Sequence, residues 1–225
     1  MRYEKLARKP GGTQRKYGRS AFLGTLAAMF LLSGCGGVGP EERAYPLTVF
    51  VDAVPEGYQV IYDMADLAEM TGQSKDSGSG ENEGSTGTVY TAETLEEIGE
   101  RYDAGSQYEL DIGHVKALVL GTGLVSEKQK LETVMNWLEG DSDLGRNALV
   151  FLAEQPEAVM EKRGELGDSV GVFLNGIYEN RENKDRRPVT LDDVFYHWFN
   201  DRELPELPVL RTTEKGIEIS TDPVQ

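Results

Sequence analysis

The sequence predicts an α/β fold, in which a single domain forms a mixed β-sheet with helices packed on it. Runs of consecutive apolar residues, typical of buried strands, alternate with helical periodicity over the second half of the chain. Two further β-rich runs flank the turn signal Pro55-Glu56-Gly57, which favours an antiparallel hairpin. The chain has 225 residues, of which 39% are hydrophobic, so its length is sufficient to bury one sizeable core.

The folded domain is expected to span residues 45–220. Its first element is the hairpin, with strands at residues 47–51 and 59–62, placed at one side of the sheet. Residues 71–87 contain no apolar side chain that could drive packing, so we expect a disordered acidic insert there. Residues 221–225 are expected to form a short tail.

The elements after the insert follow from apolar spacing. Residues 115–120 are nearly continuously apolar, which predicts a buried strand between two helices. The helices are marked by Leu95, Ile98 and Tyr102 and by Leu131, Val134, Met135 and Leu138. Ser126 and Gln129 have the spacing of a capping box at the start of the second helix, and Gly140 lies just past its apolar stripe.

The last third of the chain continues this alternation. Residues 148–153 predict a second buried strand, and Pro156 suits the first position of a helix that runs to about Leu166. A further helix carries the stripe Val170, Phe173, Leu174, Ile177 and Tyr178. After a polar loop at residues 179–187, Thr190 can cap a last helix with the stripe Leu191, Val194, Phe195, Trp198 and Phe199. Residues 216–219 predict a short final strand.

The N-terminus has the pattern of a bacterial lipoprotein signal. A basic segment precedes the apolar residues 21–32, which are too few to span a bilayer as a helix. The lipobox Leu32-Ser33-Gly34-Cys35 follows, and Cys35 is the only cysteine of the chain. We therefore expect residues 1–34 to be a signal peptide, Cys35 to be the lipid attachment site, and residues 35–44 to be a flexible tether. The alternative is an ordinary signal peptide with an incidental cysteine.

The charge of the chain limits its partners. The formal net charge is −16 at pH 7, and such a surface repels nucleic acid and anionic lipid headgroups. Membrane attachment is therefore expected through the N-terminal lipid, and its two or more acyl chains are what stable anchoring needs.

One glycine-rich turn raises the possibility of phosphate binding. Gly121-Thr122-Gly123 follows a predicted strand and opens a predicted helix, as a dinucleotide-binding turn does. Ser126 stands where the third glycine would be, and Glu154 lies too far along the chain to be the acid that binds ribose. An ordinary strand-to-helix turn is the favoured interpretation.

The other chemical motifs are also better explained by structure. Gly167-Asp168-Ser169-Val170-Gly171 matches a nucleophile elbow, and Asp193 and His197 follow in hydrolase order, but a polar helix rather than a buried strand precedes Ser169. His114 is expected to be a partly buried structural residue, and His114 and His197 lie far apart. Asp141 and Asp143 are expected in a solvated turn rather than a calcium loop. We therefore predict no catalytic, metal or cofactor site, and a protein that is not an enzyme.

Two segments resemble the Ger(x)C family of spore germination lipoproteins, the C subunits of germinant receptors. They are His114-Val115-Lys116-Ala117-Leu118-Val119-Leu120-Gly121 and the segment from Asp141 through Arg146-Asn147 to Ala153, followed later by Leu207-Pro208-Val209-Leu210. The resemblance runs loosely from about Leu47 to Ile219 and covers the family's N-terminal domain only. The chain departs from the family by Gly36-Gly37 after the cysteine and by the insert at residues 71–87, and it ends about where the family's C-terminal region would begin.

The resemblance implies a non-enzymatic accessory subunit of a nutrient germinant receptor. Its partners would be integral membrane and hydrophilic receptor subunits, and its place the outer face of the cell membrane, in the spore the inner membrane. Two alternatives stay open: a lipoprotein that binds a solute or serves as an envelope interaction module, and an envelope hydrolase that uses Ser169 and His197.

Overall fold

The computed structural model describes residues 39–65, 87–180 and 187–220. The predicted signal peptide, the lipobox with Cys35, the first four residues of the tether, nearly all of the acidic insert and the tail lie outside these residues.

The described residues form a mixed α/β fold around one seven-stranded sheet, which confirms the predicted class. Along the sheet the strands follow the order β4 (Thr88–Ala92), β3 (Gly57–Met64), β2 (Pro46–Val54), β6 (Ala117–Gly121), β7 (Leu149–Ala153), β8 (Val209–Thr213) and β9 (Gly216–Ser220). Neighbours among β2, β6, β7 and β8 pair in parallel, whereas β3, β4 and β9 pair antiparallel. Two short strands, β1 (Arg43–Ala44) and β5 (Glu109–Leu110), pair in parallel beside this sheet.

The predicted hairpin is formed by β2 and β3, and it is longer than the sequence indicated. Its register closes at Val54 and Gly57, across the expected turn. Gly57 has a φ of 139°, and a Cβ there would collide with the carbonyl oxygen of Ala92, so only glycine fits. Strand β4 was not predicted; it pairs with β3 and covers the outer side of the hairpin.

The helices lie on both faces of the sheet. Their bounds are α1 (Leu95–Gly105), α2 (Thr122–Ser126), α3 (Lys128–Gly140), α4 (Pro156–Glu161), α5 (Arg163–Leu166), α6 (Val170–Asn180) and α7 (Leu191–Asp201). Side chains of α1, α2, α3 and α7 pack in one apolar cluster, the first core. Side chains of α4 and α6 pack in another, the second core. One helix differs from its prediction. The segment from Pro156 to Leu166 is interrupted at Lys162, which separates α4 from α5.

The two cores are separated by the sheet because strand residues alternate between its faces. In β2, Val49 and Val51 join the first core, and Phe50 joins the second. In β6 the same alternation puts Leu118 in the first core and Val119 in the second. The central strands are therefore apolar on both faces, which explains their continuous apolar sequence.

Of the two predicted helix caps, one is wrong and the other is confirmed. The capping box of Ser126 and Gln129 was wrong: Ser126 ends α2, and its hydroxyl donates to the carbonyl oxygen of Thr122 at 2.7 Å. Helix α3 begins instead after Glu127, without a side-chain cap. The Thr190 cap of α7 is confirmed, and it belongs to a complete capping box with Asp193.

Candidate functional site

The glycine turn after β6 is occupied by a carboxylate of the protein itself. The backbone N–H groups of Leu124 and Ala53 both donate to Oδ1 of Asp52 at 2.8 Å. A Cβ on Gly121 would overlap this carboxylate, and one on Gly123 would come within 2.8 Å of it. Burial raises the pKa of Asp52, and the two backbone hydrogen bonds oppose that rise. The turn is glycine-rich because Asp52 fills it, which supports the ordinary structural interpretation over phosphate binding.

Ser169 lies apart from the other two residues of the candidate hydrolase triad, Asp193 and His197, which share helix α7. Ser169 is buried, and its hydroxyl accepts from the N–H of Val172 at 3.2 Å, which caps α6 on the second-core face. His197 lies on α7, whose apolar side chains pack in the first core across the sheet. Asp193 accepts from the N–H and hydroxyl of Thr190 and from Arg187 at 2.9 Å. The structure therefore does not bring Ser169 together with the other two residues.

The last glycine of the elbow motif, Gly171, has a packing role. A Cβ there would collide with the backbone carbonyl of Leu47, because α6 approaches β2 closely. The N–H of Gly171 donates to the hydroxyl of Thr48 at 2.7 Å. The motif thus marks a helix that contacts a strand through backbone atoms.

The candidate metal ligands are likewise dispersed. His114 lies in a 3₁₀ turn and keeps 63% of its side chain exposed, so the expectation of partial burial was wrong. Its ring packs edge-on against Tyr45 at 5.0 Å. Asp141 accepts from the N–H of Asp143 at 2.9 Å in an exposed turn, as expected. Within residues 39–65, 87–180 and 187–220, no three His, Cys, Asp or Glu side chains are placed to hold a metal ion.

A buried polar network joins the end of the hairpin to the start of α6. Asp63 is fully buried; its Oδ2 accepts from the hydroxyl of Thr48 at 2.9 Å and from the N–H of Val170 at 2.7 Å. Its Oδ1 accepts from Nε of Arg163 at 2.6 Å. Burial raises the pKa of Asp63, and the hydrogen bonds and the Arg163 charge oppose the rise. This network positions α6 and was not anticipated from the sequence.

A pocket of about 430 Å³ opens at the carboxyl ends of β6 and β7. Val125 lies in the short helix directly after β6, and Leu152 is the penultimate residue of β7. Leu131 of α3 and Leu204 and Leu207 of the segment before β8 complete an apolar wall. Crevices at the carboxyl ends of parallel strands are common ligand sites in open α/β sheets.

Polar groups of the pocket lie on α3 and around the end of α7. Trp198 is 2% exposed and lines the pocket, and its indole Nε1 is the one buried side-chain nitrogen or oxygen without a hydrogen-bond partner among the described residues. Lys128, Arg202 and Glu203 also line the pocket, and all three are exposed. Arg202 lies 3.6 Å from Glu132. The sequence indicated Trp198 only as part of an apolar stripe, since the pocket is assembled from four separate segments.

Comparison with known protein families identifies the family of the chain. A family model described as the spore germination protein N-terminal domain matches residues 39–212. The chain belongs to this family. The match confirms the resemblance to Ger(x)C proteins, covers both quoted segments and supports a role related to germination. No curated protein and no solved structure matches the chain.

The described helices were also compared with the length and hydropathy that a membrane-spanning helix needs. Within the part of the chain that the structure describes, no helix combines the length and apolar character needed to cross a bilayer.

Proposed function

We propose that this germination-family protein is a lipid-anchored, non-enzymatic accessory subunit of a nutrient germinant receptor. It would be held by Cys35 on the outer face of the cell membrane, in the spore the inner membrane. There it would act through contacts with integral membrane and hydrophilic receptor subunits. The observation that carries this proposal is the family match over residues 39–212.

Two further observations support parts of the proposal. The lipobox Leu32-Ser33-Gly34-Cys35 follows a segment with the composition of an export signal, which favours a lipid anchor. The motifs that suggested chemistry have structural contacts: Asp52 fills the glycine turn, and Ser169 caps α6. These contacts favour a role in binding over a role in catalysis.

The proposal is tested by deleting the gene in its spore-forming host and measuring nutrient-triggered germination. We expect slower germination, restored by the wild-type gene but not by Cys35→Ser, which lacks the thiol that carries the lipid. Ser33→Ala is the matched control, because alanine keeps a small residue in the lipobox and should restore germination. Germination by a route that bypasses nutrient receptors should be unaffected by the deletion. Normal nutrient germination of the deletion strain would refute the proposal.

Partner contact is tested separately. An affinity-tagged wild-type chain, crosslinked in intact spores, should retain receptor subunits through purification, whereas the Cys35→Ser chain should retain far fewer. Equal recovery of receptor subunits with an unrelated tagged lipoprotein would contradict specific contact.

A further inference from the structure

The pocket at the carboxyl ends of β6 and β7 has the size and lining of a small-molecule site. Ligand pockets are commonly about 300–1,000 Å³, mostly apolar, with a few polar groups that fix orientation. This pocket falls within that range at about 430 Å³, and its wall is formed largely by Val125, Leu131, Leu152 and the leucines before β8. Such a wall selects an apolar ligand body.

The buried indole nitrogen of Trp198 suggests what else the ligand carries. A buried tryptophan N–H usually finds an acceptor, and leaving one unpaired costs about 1–3 kcal/mol. Among the described residues Trp198 Nε1 has no acceptor, although its side chain lines the pocket. Because this nitrogen is closed to solvent, a ligand oxygen would reach it only after a small movement of the pocket wall. A ligand with an acceptor group would then satisfy it.

The charges around the pocket favour an anionic acceptor. Lys128 and Arg202 contribute two positive charges and Glu203 one negative charge, so the lining is net positive on a chain whose formal charge is −16. Arg202 has only a long contact of 3.6 Å with Glu132. No hydrogen bond or ion pair is seen for the Lys128 ammonium within the described residues. Lys128 is therefore free to contact a carboxylate, and Arg202, held only by the long contact with Glu132, can turn part of its guanidinium toward one.

We propose that this pocket binds an aliphatic carboxylate, with the chain against the leucine wall and the carboxylate near Lys128, Arg202 and the Trp198 indole. The inference goes beyond the accessory role in germination and does not depend on it. It assigns a ligand class to a surface for which the sequence predicted no site.

The test uses the two tryptophans of the chain, Trp137 and Trp198. In the full-length chain carrying Trp137→Phe, the single indole N–H resonance reports on Trp198. Titration with decanoate, below its micelle concentration, should shift this resonance saturably. Decanol should bind about tenfold more weakly, because it lacks the charge that Lys128 and Arg202 contact. In the wild-type chain only one of the two indole resonances should move.

The charge contribution is tested with a matched pair of variants. Lys128→Gln should weaken decanoate binding about two- to fivefold, as expected for one exposed ion pair. Lys215→Gln removes an exposed lysine in the β8–β9 turn, away from the pocket, and should leave the affinity unchanged. The inference is overturned by the absence of a saturable shift, by equal affinity for decanol and decanoate, or by equal weakening in the two variants.

Discussion

The carboxylate of Asp63 and the guanidinium of Arg163 form an ion pair of 2.6 Å between the end of β3 and α5. The side chain of Asp63 is fully buried, and that of Arg163 is 16% exposed. The same carboxylate accepts the N–H of Val170, the first residue of α6. One side chain therefore connects the hairpin to both α5 and α6.

Removing the Arg163 guanidinium should destabilise the folded domain. Arg163→Met leaves a buried carboxylate without its cation, and we expect a loss of about 3 kcal/mol in the free energy of unfolding. Urea denaturation at pH 7 measures the change. Arg211→Met, at an exposed position of β8, is the control and should change stability by less than about 0.5 kcal/mol. Combining Arg163→Met with Asp63→Asn should cost less than the sum of the single losses, since the two side chains interact directly. Strict additivity would contradict the pairing.

Adding a methyl group to the glycine turn should also destabilise the domain. In Gly121→Ala the new Cβ would overlap the Asp52 carboxylate, and we expect a loss of about 1–3 kcal/mol. Gly99→Ala is the matched control: Gly99 lies within α1, and a Cβ there meets nothing within 4 Å. Alanine at that position should stabilise the helix by up to about 1 kcal/mol. Thermal unfolding measures the change in stability of both variants. Similar changes at the two glycines would refute the close contact of Gly121 with Asp52.

Acidification should weaken the cap of α7. The hydrogen bonds from Thr190 and the nearby Arg187 charge lower the pKa of Asp193. The folded state thus binds the Asp193 proton less readily than the unfolded state does. The resulting stability is fully present above the unfolded pKa, about 3.9, and is lost as pH falls through the lower folded value.

This dependence is measured by urea denaturation between pH 5 and pH 2. Asp193→Asn should be less stable than wild type at pH 5 and should lose less stability on acidification. Asp192→Asn, on the neighbouring exposed residue, should keep the wild-type slope. An unchanged slope in Asp193→Asn would exclude Asp193 as a source of acid sensitivity.

The proposed lipid anchor gives a prediction outside the folded domain. Cys35→Ser should move the protein from washed membranes to the soluble fraction and abolish labelling with a radioactive fatty acid, because serine has no thiol to accept the diacylglycerol. Ser33→Ala should remain labelled and membrane-bound. Retention of Cys35→Ser in washed membranes would show that the lipobox interpretation is wrong.

Much of the fold was predictable because its central strands are buried on both faces. Strands β6 and β7 were evident as continuous apolar runs, and α3, α6 and α7 as apolar stripes. Strand β4 was missed because it is an edge strand whose residues are mostly exposed, so it lacks an apolar pattern.

The polar sites were harder to predict because their partners are distant in sequence. Asp63 and Arg163 are separated by 100 positions, and nothing in the local pattern of either residue indicates the other. The pocket at Trp198 is similar, since its wall comes from α2, α3, β7 and the segment around the end of α7. Periodicity identifies which side chains are buried; it does not identify which segments meet.

The Asp52 carboxylate would compete with any free anion for the backbone N–H groups of the glycine turn. Because it is attached to the adjacent strand, its effective concentration at the N–H of Leu124 is on the order of millimolar or more. A free phosphate would have to displace this group and would be repelled by its charge. The N–H of Leu124, the kind of backbone donor that a phosphate contacts in a nucleotide-binding turn, is therefore already satisfied by a single side chain of the protein.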